Sequence, residues 1–311
     1  MKLTNLKIIF AVGVLVSVAA IHDKGTAGKL PAAQPTDLAQ ASQVIGAAPQ
    51  PTPHDIPYRT DWTLLEPELH VTAAVAMDLD SQVTMYQFNT ASRWPLASLS
   101  KLMTAVIVLE KMGTNKIVTV DQHAMDTEGL AGDLQLGEQY TSGDLLNAML
   151  SVSSNRAAMA LADAYGLPQF VDQMQLKATQ LGMTQTTYVE PTGLSPLNKS
   201  TILDLEKLVE YIYHTHPEIF AITRQQAVTT HELTKGIDNR LININTFAQT
   251  RSDFFGGKTG YTDEADGNLV TVFDHEGRKL LFVVFGTDDR FGQTDALYTW
   301  VKNAFSFHSH A

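Results

Sequence analysis

The stretch from Pro95 to Val106, Pro-Leu-Ala-Ser-Leu-Ser-Lys-Leu-Met-Thr-Ala-Val, constrains this chain more than any other. Leu99, Leu102, Val106 and Leu109, with Met103 beside Leu102, recur at helical spacing and predict a helix whose apolar stripe needs a covering layer. Ser98 and Lys101 stand three apart at its start, so their side chains share one face within hydrogen-bonding reach. A hydroxyl beside an amine is a nucleophile beside a base, and the unpaired N–H groups of a helix start are donors for a developing oxyanion. The same pair also fits a capping serine and a solvated lysine. The rest of the chain must decide between them.

Residues 69–78 and 83–88 are apolar-rich runs on either side of Asp80-Ser81-Gln82 and predict a β-hairpin. After the Ser98 helix, which should end near Gly113, residues 117–120 form a short strand candidate. Thr141-Ser142 caps a helix carrying Leu145, Leu146, Met149 and Leu150. A polar loop, Ser151-Val152-Ser153-Ser154-Asn155, separates it from helices at 157–165, 170–181 and 201–213. Strands follow at 254–262, 267–273 and 279–285, then a closing helix at 295–305. This order predicts an α+β fold: an antiparallel sheet flanked by helices, with an inserted all-helical region, over residues 61–311.

Ahead of that domain the composition changes. Lys2 and Lys7 precede an apolar run at 8–21 that is short for a membrane span, with the small residues Val18 and Ala20 at its end. Residues 1–21 therefore read as a signal peptide, with an uncleaved N-terminal anchor as the alternative. Residues 22–60 are rich in Ala, Pro, Gln and Thr and predict a flexible lead. The net charge of -11, without a Lys/Arg-rich run, argues against a nucleic-acid partner. Cysteine is absent, which excludes disulfides, thiol catalysis and Cys-ligated metal.

Three short motifs bear on the chemistry. Ser98-Leu99-Ser100-Lys101 is the chain's only Ser-x-x-Lys, Ser153-Ser154-Asn155 its only Ser-x-Asn, and Lys258-Thr259-Gly260 its only Lys-Thr-Gly. They fall on a helix start, an inter-helix loop and a strand, in that order. From about Leu69 to its end the chain resembles the serine penicillin-recognising enzymes. More narrowly, it is similar to low-molecular-mass penicillin-binding proteins of the D-alanyl-D-alanine endopeptidase type. The stretches Ser154-Asn155-Arg156-Ala157-Ala158, Val189-Glu190-Pro191-Thr192-Gly193-Leu194-Ser195 and Gly257-Lys258-Thr259-Gly260-Tyr261-Thr262 carry that likeness.

The resemblance implies roles that the residue chemistry supports. Ser98 is the expected nucleophile and Lys101 its base, provided that burial and a neighbouring cation such as Lys258 lower the pKa of the amine. Ser153 is the expected proton relay to the leaving amine, and Asn155 orients Lys101 and bonds the substrate amide. Lys258 and Thr259 suit a carboxylate on the leaving residue. Gly260 keeps the strand edge clear for substrate, and the Ser98 and Tyr261 N–H groups form the oxyanion hole by resemblance. The implied substrates are peptidoglycan stem peptides in the periplasm, with β-lactam antibiotics as covalent inhibitors. No cofactor or metal is implied, and membrane association is expected through the N-terminus only.

About 50 residues follow Lys258-Thr259-Gly260, enough for two strands and a helix but not for the second, β-rich domain and amphipathic tail that membrane-bound carboxypeptidases of the resembled family carry, so the resemblance implies a cross-link endopeptidase rather than a carboxypeptidase. A class A-like β-lactamase and a non-catalytic β-lactam sensor remain the alternatives. Glu190 is the residue on which the lactamase reading turns, and its Pro-Thr-Gly-Leu-Ser sequel points to a loop-structuring role instead. His214 and His216 lack a third ligand in the pattern and read as structural or surface residues.

Overall fold

The computed structural model describes residues 56–307, so residues 1–21, expected to be a signal peptide or anchor, and most of the Ala/Pro-rich stretch lie outside them. A five-stranded sheet forms the middle of the domain, and its strand β1 (Ala73–Asp78) is buried at every position. The hairpin partner β2 (Val83–Phe88) covers one edge of it. On the other side lies β7 (Arg278–Thr287), followed by β6 (Asp266–His275) and β5 (Phe254–Thr262). All neighbours are antiparallel and the order is β5-β6-β7-β1-β2. Strands from both ends of the domain thus pair side by side at its middle.

Why the inner strands read as unbroken apolar runs is visible in the two cores. Successive side chains on a strand point to opposite faces. Ala73, Val75 and Met77 of β1, with Leu281, Val283 and Phe285 of β7, enter the core shared with the inserted helices. Ala74 and Ala76, with Leu280, Phe282 and Val284, enter a second core under the last helix, α6 (Arg290–Ala304). There Phe273 stacks on Tyr298 at 4.4 Å. Both faces are covered, so alternation disappears from the sequence.

The insertion between β2 and β5 is dominated by helices. Its axis is α1 (Ser100–Lys111), buried from Ser100 to Val108. Around it lie α2 (Ser142–Ser151), α3 (Asn155–Tyr165), α4 (Leu167–Gln180) and α5 (Ile202–Thr215). Thr141, Ser154 and Thr201 cap α2, α3 and α5 by accepting from a backbone N–H three residues on. Two departures from expectation have local causes. A hairpin, β3 (Ala227–Glu232) and β4 (Ile237–Ile242), lies within the insertion. Its inward row is Val228, Thr230 and Glu232, too polar to advertise a strand, because Glu232 turns in to accept the Thr234 and Lys235 N–H groups at 2.8 and 2.6 Å. Helix α6 starts five residues before residue 295, where Asp289 caps it through Gly292.

The ordered backbone also begins ahead of Asp61, since Tyr58–Arg59 pairs with Phe305–Ser306. Among the described residues no helix is long and apolar enough to cross a membrane.

Candidate active site

Ser98 sits in a 3-10 turn, Ala97–Leu99, that runs directly into α1. Two close approaches hold that turn. Gly193 has φ +84, and a Cβ there would stand 1.8 Å from the Ala97 carbonyl oxygen. Gly260 of β5 approaches from the other side, where a Cβ would be 3.0 Å from the Leu96 oxygen and 3.3 Å from the Ser98 nitrogen. The glycine of Lys-Thr-Gly is thus needed by the turn that carries Ser98. Asn268 on β6 adds a third tie, its amide donating to the Pro95 carbonyl at 2.8 Å.

Lys101 is fully buried, and its amine has three oxygen neighbours: Ser98 Oγ at 2.9 Å, Asn155 Oδ1 at 2.6 Å and the Thr192 carbonyl at 2.6 Å. The Asn155 amide orientation is set because its Nδ2 donates to the Glu128 carbonyl at 2.8 Å. Two of the three neighbours can only accept. A neutral amine has two N–H bonds and one lone pair. When both N–H bonds go to Asn155 and Thr192, the lone pair is left facing the Ser98 hydroxyl. Burial holds this amine down to about 7, against the opposing pull of the Glu190 carboxylate.

The third motif closes the far side. Lys258 is buried, and its amine donates to Ser153 Oγ at 2.9 Å and to the Thr259 carbonyl at 2.9 Å. Ser153 stands at φ +59, in the loop between α2 and α3. Burial first, then repulsion from Lys101 and Arg290, keeps the Lys258 amine well below the usual lysine value. This differs from the expected division of labour. Burial is what lowers Lys101, and the repulsion between the two amines falls on Lys258. Thr259 is buried beside it, while the Tyr261 side chain is exposed at the cleft edge.

The structure therefore brings Ser98, Lys101 and Asn155 into one hydrogen-bonded group, and Lys258 and Ser153 into a second. Gly260 joins them at the Ser98 nitrogen. Two hollows, of about 390 and 350 Å³, adjoin this centre and share Glu128 and Leu194. Sequence reasoning did not find the Thr192 carbonyl, Gly193 or Arg290, whose Nη1 donates to the Gly260 carbonyl at 2.7 Å. A backbone carbonyl has no sequence signature, and Arg290 belongs to no motif. His216 lies away from the centre, 3.5 Å from Glu110 and 3.2 Å from Glu218.

Glu190 is folded into its own loop. Its carboxylate accepts from the N–H groups of Thr192 and Gly193 at 2.6 Å each, from Ser195 N–H at 3.4 Å, from Thr192 Oγ1 at 2.5 Å and from Asn198 Nδ2 at 3.0 Å.

A serine peptidase is the class of protein to which this fold and this serine–lysine site point. A family model described as D-alanyl-D-alanine carboxypeptidase, peptidase S11, matches residues 61–289, and the chain belongs to that family of serine D,D-peptidases. It is 32% identical over 249 residues to the D-alanyl-D-alanine endopeptidase of Escherichia coli strain K12, covering 77% of this chain and 80% of that one. With the D-alanyl-D-alanine carboxypeptidase DacC of the same organism it shares 31% identity, over 78% of this chain and 64% of the relative. Penicillin-binding protein D2 of Listeria monocytogenes, solved in an ampicillin-bound form, superposes with a TM-score of 0.69 at 30% identity, covering 77% of this chain and all of that one (100%).

Proposed function

We propose that the chain cleaves D-alanyl peptide bonds of peptidoglycan through an acyl-enzyme on Ser98, with cross-links as the preferred substrate. The observation that carries this is the pairing of two carbonyl acceptors with the buried Lys101 amine, which leaves its lone pair for the Ser98 hydroxyl. In the first half-reaction Ser98 Oγ bonds the acyl carbon as its proton passes to Lys101. The oxyanion is held by the Ser98 and Tyr261 N–H groups, each worth about 10²–10³ in turnover. On collapse the C–N bond breaks, and Ser153 relays the proton held by Lys101 to the departing amine, which leaves Lys101 neutral and Ser153 a hydroxyl again. Water then attacks the ester, releasing the acid and restoring the serine. Asn155 receives the substrate amide. Lys258 and Thr259, with Gly260 and Tyr261 lining the strand edge, receive the carboxylate of the leaving residue. A buried lysine that none of the ion pairs among the described residues engages is suited to such an anion.

The preference for cross-links is supported by the relatives, since the chain spans 80% of the endopeptidase and 64% of the carboxypeptidase. The substrate implies work on the outer side of the cell membrane, in the periplasm, with residues 1–21 as the export signal or anchor, 22–60 as a lead and 61–311 as the peptidase domain. A penicillin offers an amide-like ring and a carboxylate and is therefore expected to acylate Ser98. A β-lactamase would need a carboxylate free to take a proton from water, whereas both oxygens of Glu190 are occupied by donors of its own loop.

Purified muropeptides provide the test. Mass analysis should show cross-linked dimers falling to monomers faster than pentapeptides lose D-Ala. The opposite order would make the enzyme a carboxypeptidase, and rapid turnover of nitrocefin without a lasting acyl-enzyme would make it a lactamase.

A further inference from the structure

We propose that Glu190 is a positioning residue of this site: by folding residues 190–195 around its carboxylate, it fixes the Thr192 carbonyl against Lys101 and so aims the amine at Ser98. The inference rests on the D,D-peptidase reading and adds to it a residue that acts through Thr192 and Lys101.

The geometry runs in one chain of contacts. Lys101 needs two acceptors to leave its lone pair for Ser98, and one of them is the Thr192 carbonyl at 2.6 Å. The other, Asn155, is secured independently through Glu128. Thr192 has no ladder partner to fix it. Its carbonyl shares a peptide plane with the Gly193 N–H, which donates to Glu190 Oε1, while the Thr192 N–H and hydroxyl both donate to Oε2, at 2.6 and 2.5 Å; Thr104 Oγ1 holds the preceding Pro191 carbonyl at 2.7 Å. Glu190 Oε1 meanwhile takes Gly193 N–H at 2.6 Å, the residue whose bare Cα lies against the Ala97 carbonyl. Asn198 anchors the assembly to the helix start, donating to Glu190 Oε1 at 3.0 Å and to Ser100 Oγ at 3.0 Å.

Charge adds a second consequence. The charged groups that face Lys101 are Glu190 from this loop and Lys258 from β5, with Arg290 behind Lys258; of these it is Glu190 that shifts the Lys101 amine, while the repulsion between the two amines falls on Lys258. Among them Glu190 is the one anion, and it favours the ammonium form of Lys101. Removing its charge, or letting the Thr192 acceptor drift away, disfavours that ammonium. Both effects move the Lys101 midpoint to lower pH. A residue that only stabilised the loop would lower the rate at every pH and leave the midpoint in place.

The experiment follows acylation of the purified chain by a fluorescent penicillin across pH, in wild type and in Glu190→Gln, with thermal melts as the check on folding. In Glu190→Gln the alkaline plateau should fall about tenfold and the acid limb should move down by about one pH unit. A folded Glu190→Gln protein with the wild-type midpoint overturns the proposal. If that variant lacks a cooperative melt, Glu190→Asp decides, because it keeps the charge and withdraws the carboxylate. A plateau loss with the midpoint below the wild-type value supports positioning, and labelling at the wild-type rate, or a plateau loss with the wild-type midpoint, overturns it. Wild-type protein that takes no label overturns the peptidase reading itself, which is a different result.

Discussion

Lys258 reaches the cleft from a nine-residue strand paired along its length with β6, whereas Thr192 reaches it from a loop held by the side chains of Glu190 and Asn198. On the sheet side the holding force is distributed over a ladder of backbone hydrogen bonds and two apolar cores. On the loop side it is concentrated in a handful of bonds to two polar groups. The comparison teaches that the sheet wall should absorb single losses that the loop wall cannot.

The largest effect expected is on the centre that both walls serve. Lys101→Ala should lose about 10²–10⁴ of the penicillin acylation rate while Ser98 remains in place, measured by stopped-flow labelling. Next come the two glycines that clasp the nucleophile turn, which set the walls against each other. Gly193→Ala drives a Cβ into the Ala97 carbonyl at a left-handed φ, and should cost about 10² in labelling or abolish the cooperative melt. Gly260→Ala meets the Leu96 oxygen at 3.0 Å and should cost about tenfold. A larger loss at Gly260 than at Gly193 would break the comparison.

Lys258→Met sharpens the reading of the sheet wall. Losing a charge-assisted bond to the substrate carboxylate should lower kcat/KM about 10–100-fold, mostly through KM, and little for a substrate analogue without that carboxylate. The pH profile is the next test. Burial brings Lys101 to about 7, so the neutral base is the majority form above that pH and the ammonium below it. Acylation should therefore rise with pH through that value and fall about tenfold per unit on the acid side. The smallest effect on activity is expected at Asn268→Ala. It unties β6 from Pro95 and should lower stability by about 1–3 kcal/mol, read from chemical denaturation, while most labelling survives.

The sheet wall was largely legible in the sequence because its inner strands are apolar runs bounded by turn residues. The strand 254–262, which carries Lys258-Thr259-Gly260, was expected with the same limits that β5 shows. The caps at Thr141 and Thr201 were legible for a similar reason, a short polar side chain ahead of an apolar helix. The loop wall was legible only as a motif. Glu190 was expected to structure its loop, and its hydrogen bonds are those of such a residue. That the loop then supplies Lys101 with an acceptor could not be read, because the acceptor is a main-chain carbonyl that any residue at 192 would carry. The β3–β4 hairpin was missed because its buried row ends on a carboxylate.

By itself the sequence determined the element order, the three polar clusters and the elements that carry them, since these depend on local periodicity and on side-chain chemistry a few residues apart. Only the tertiary structure decided which of two amines is pressed down by burial alone and which also by repulsion, and which backbone groups complete the site. Burial and the aim of a carbonyl depend on atoms distant along the chain, and no local pattern encodes them.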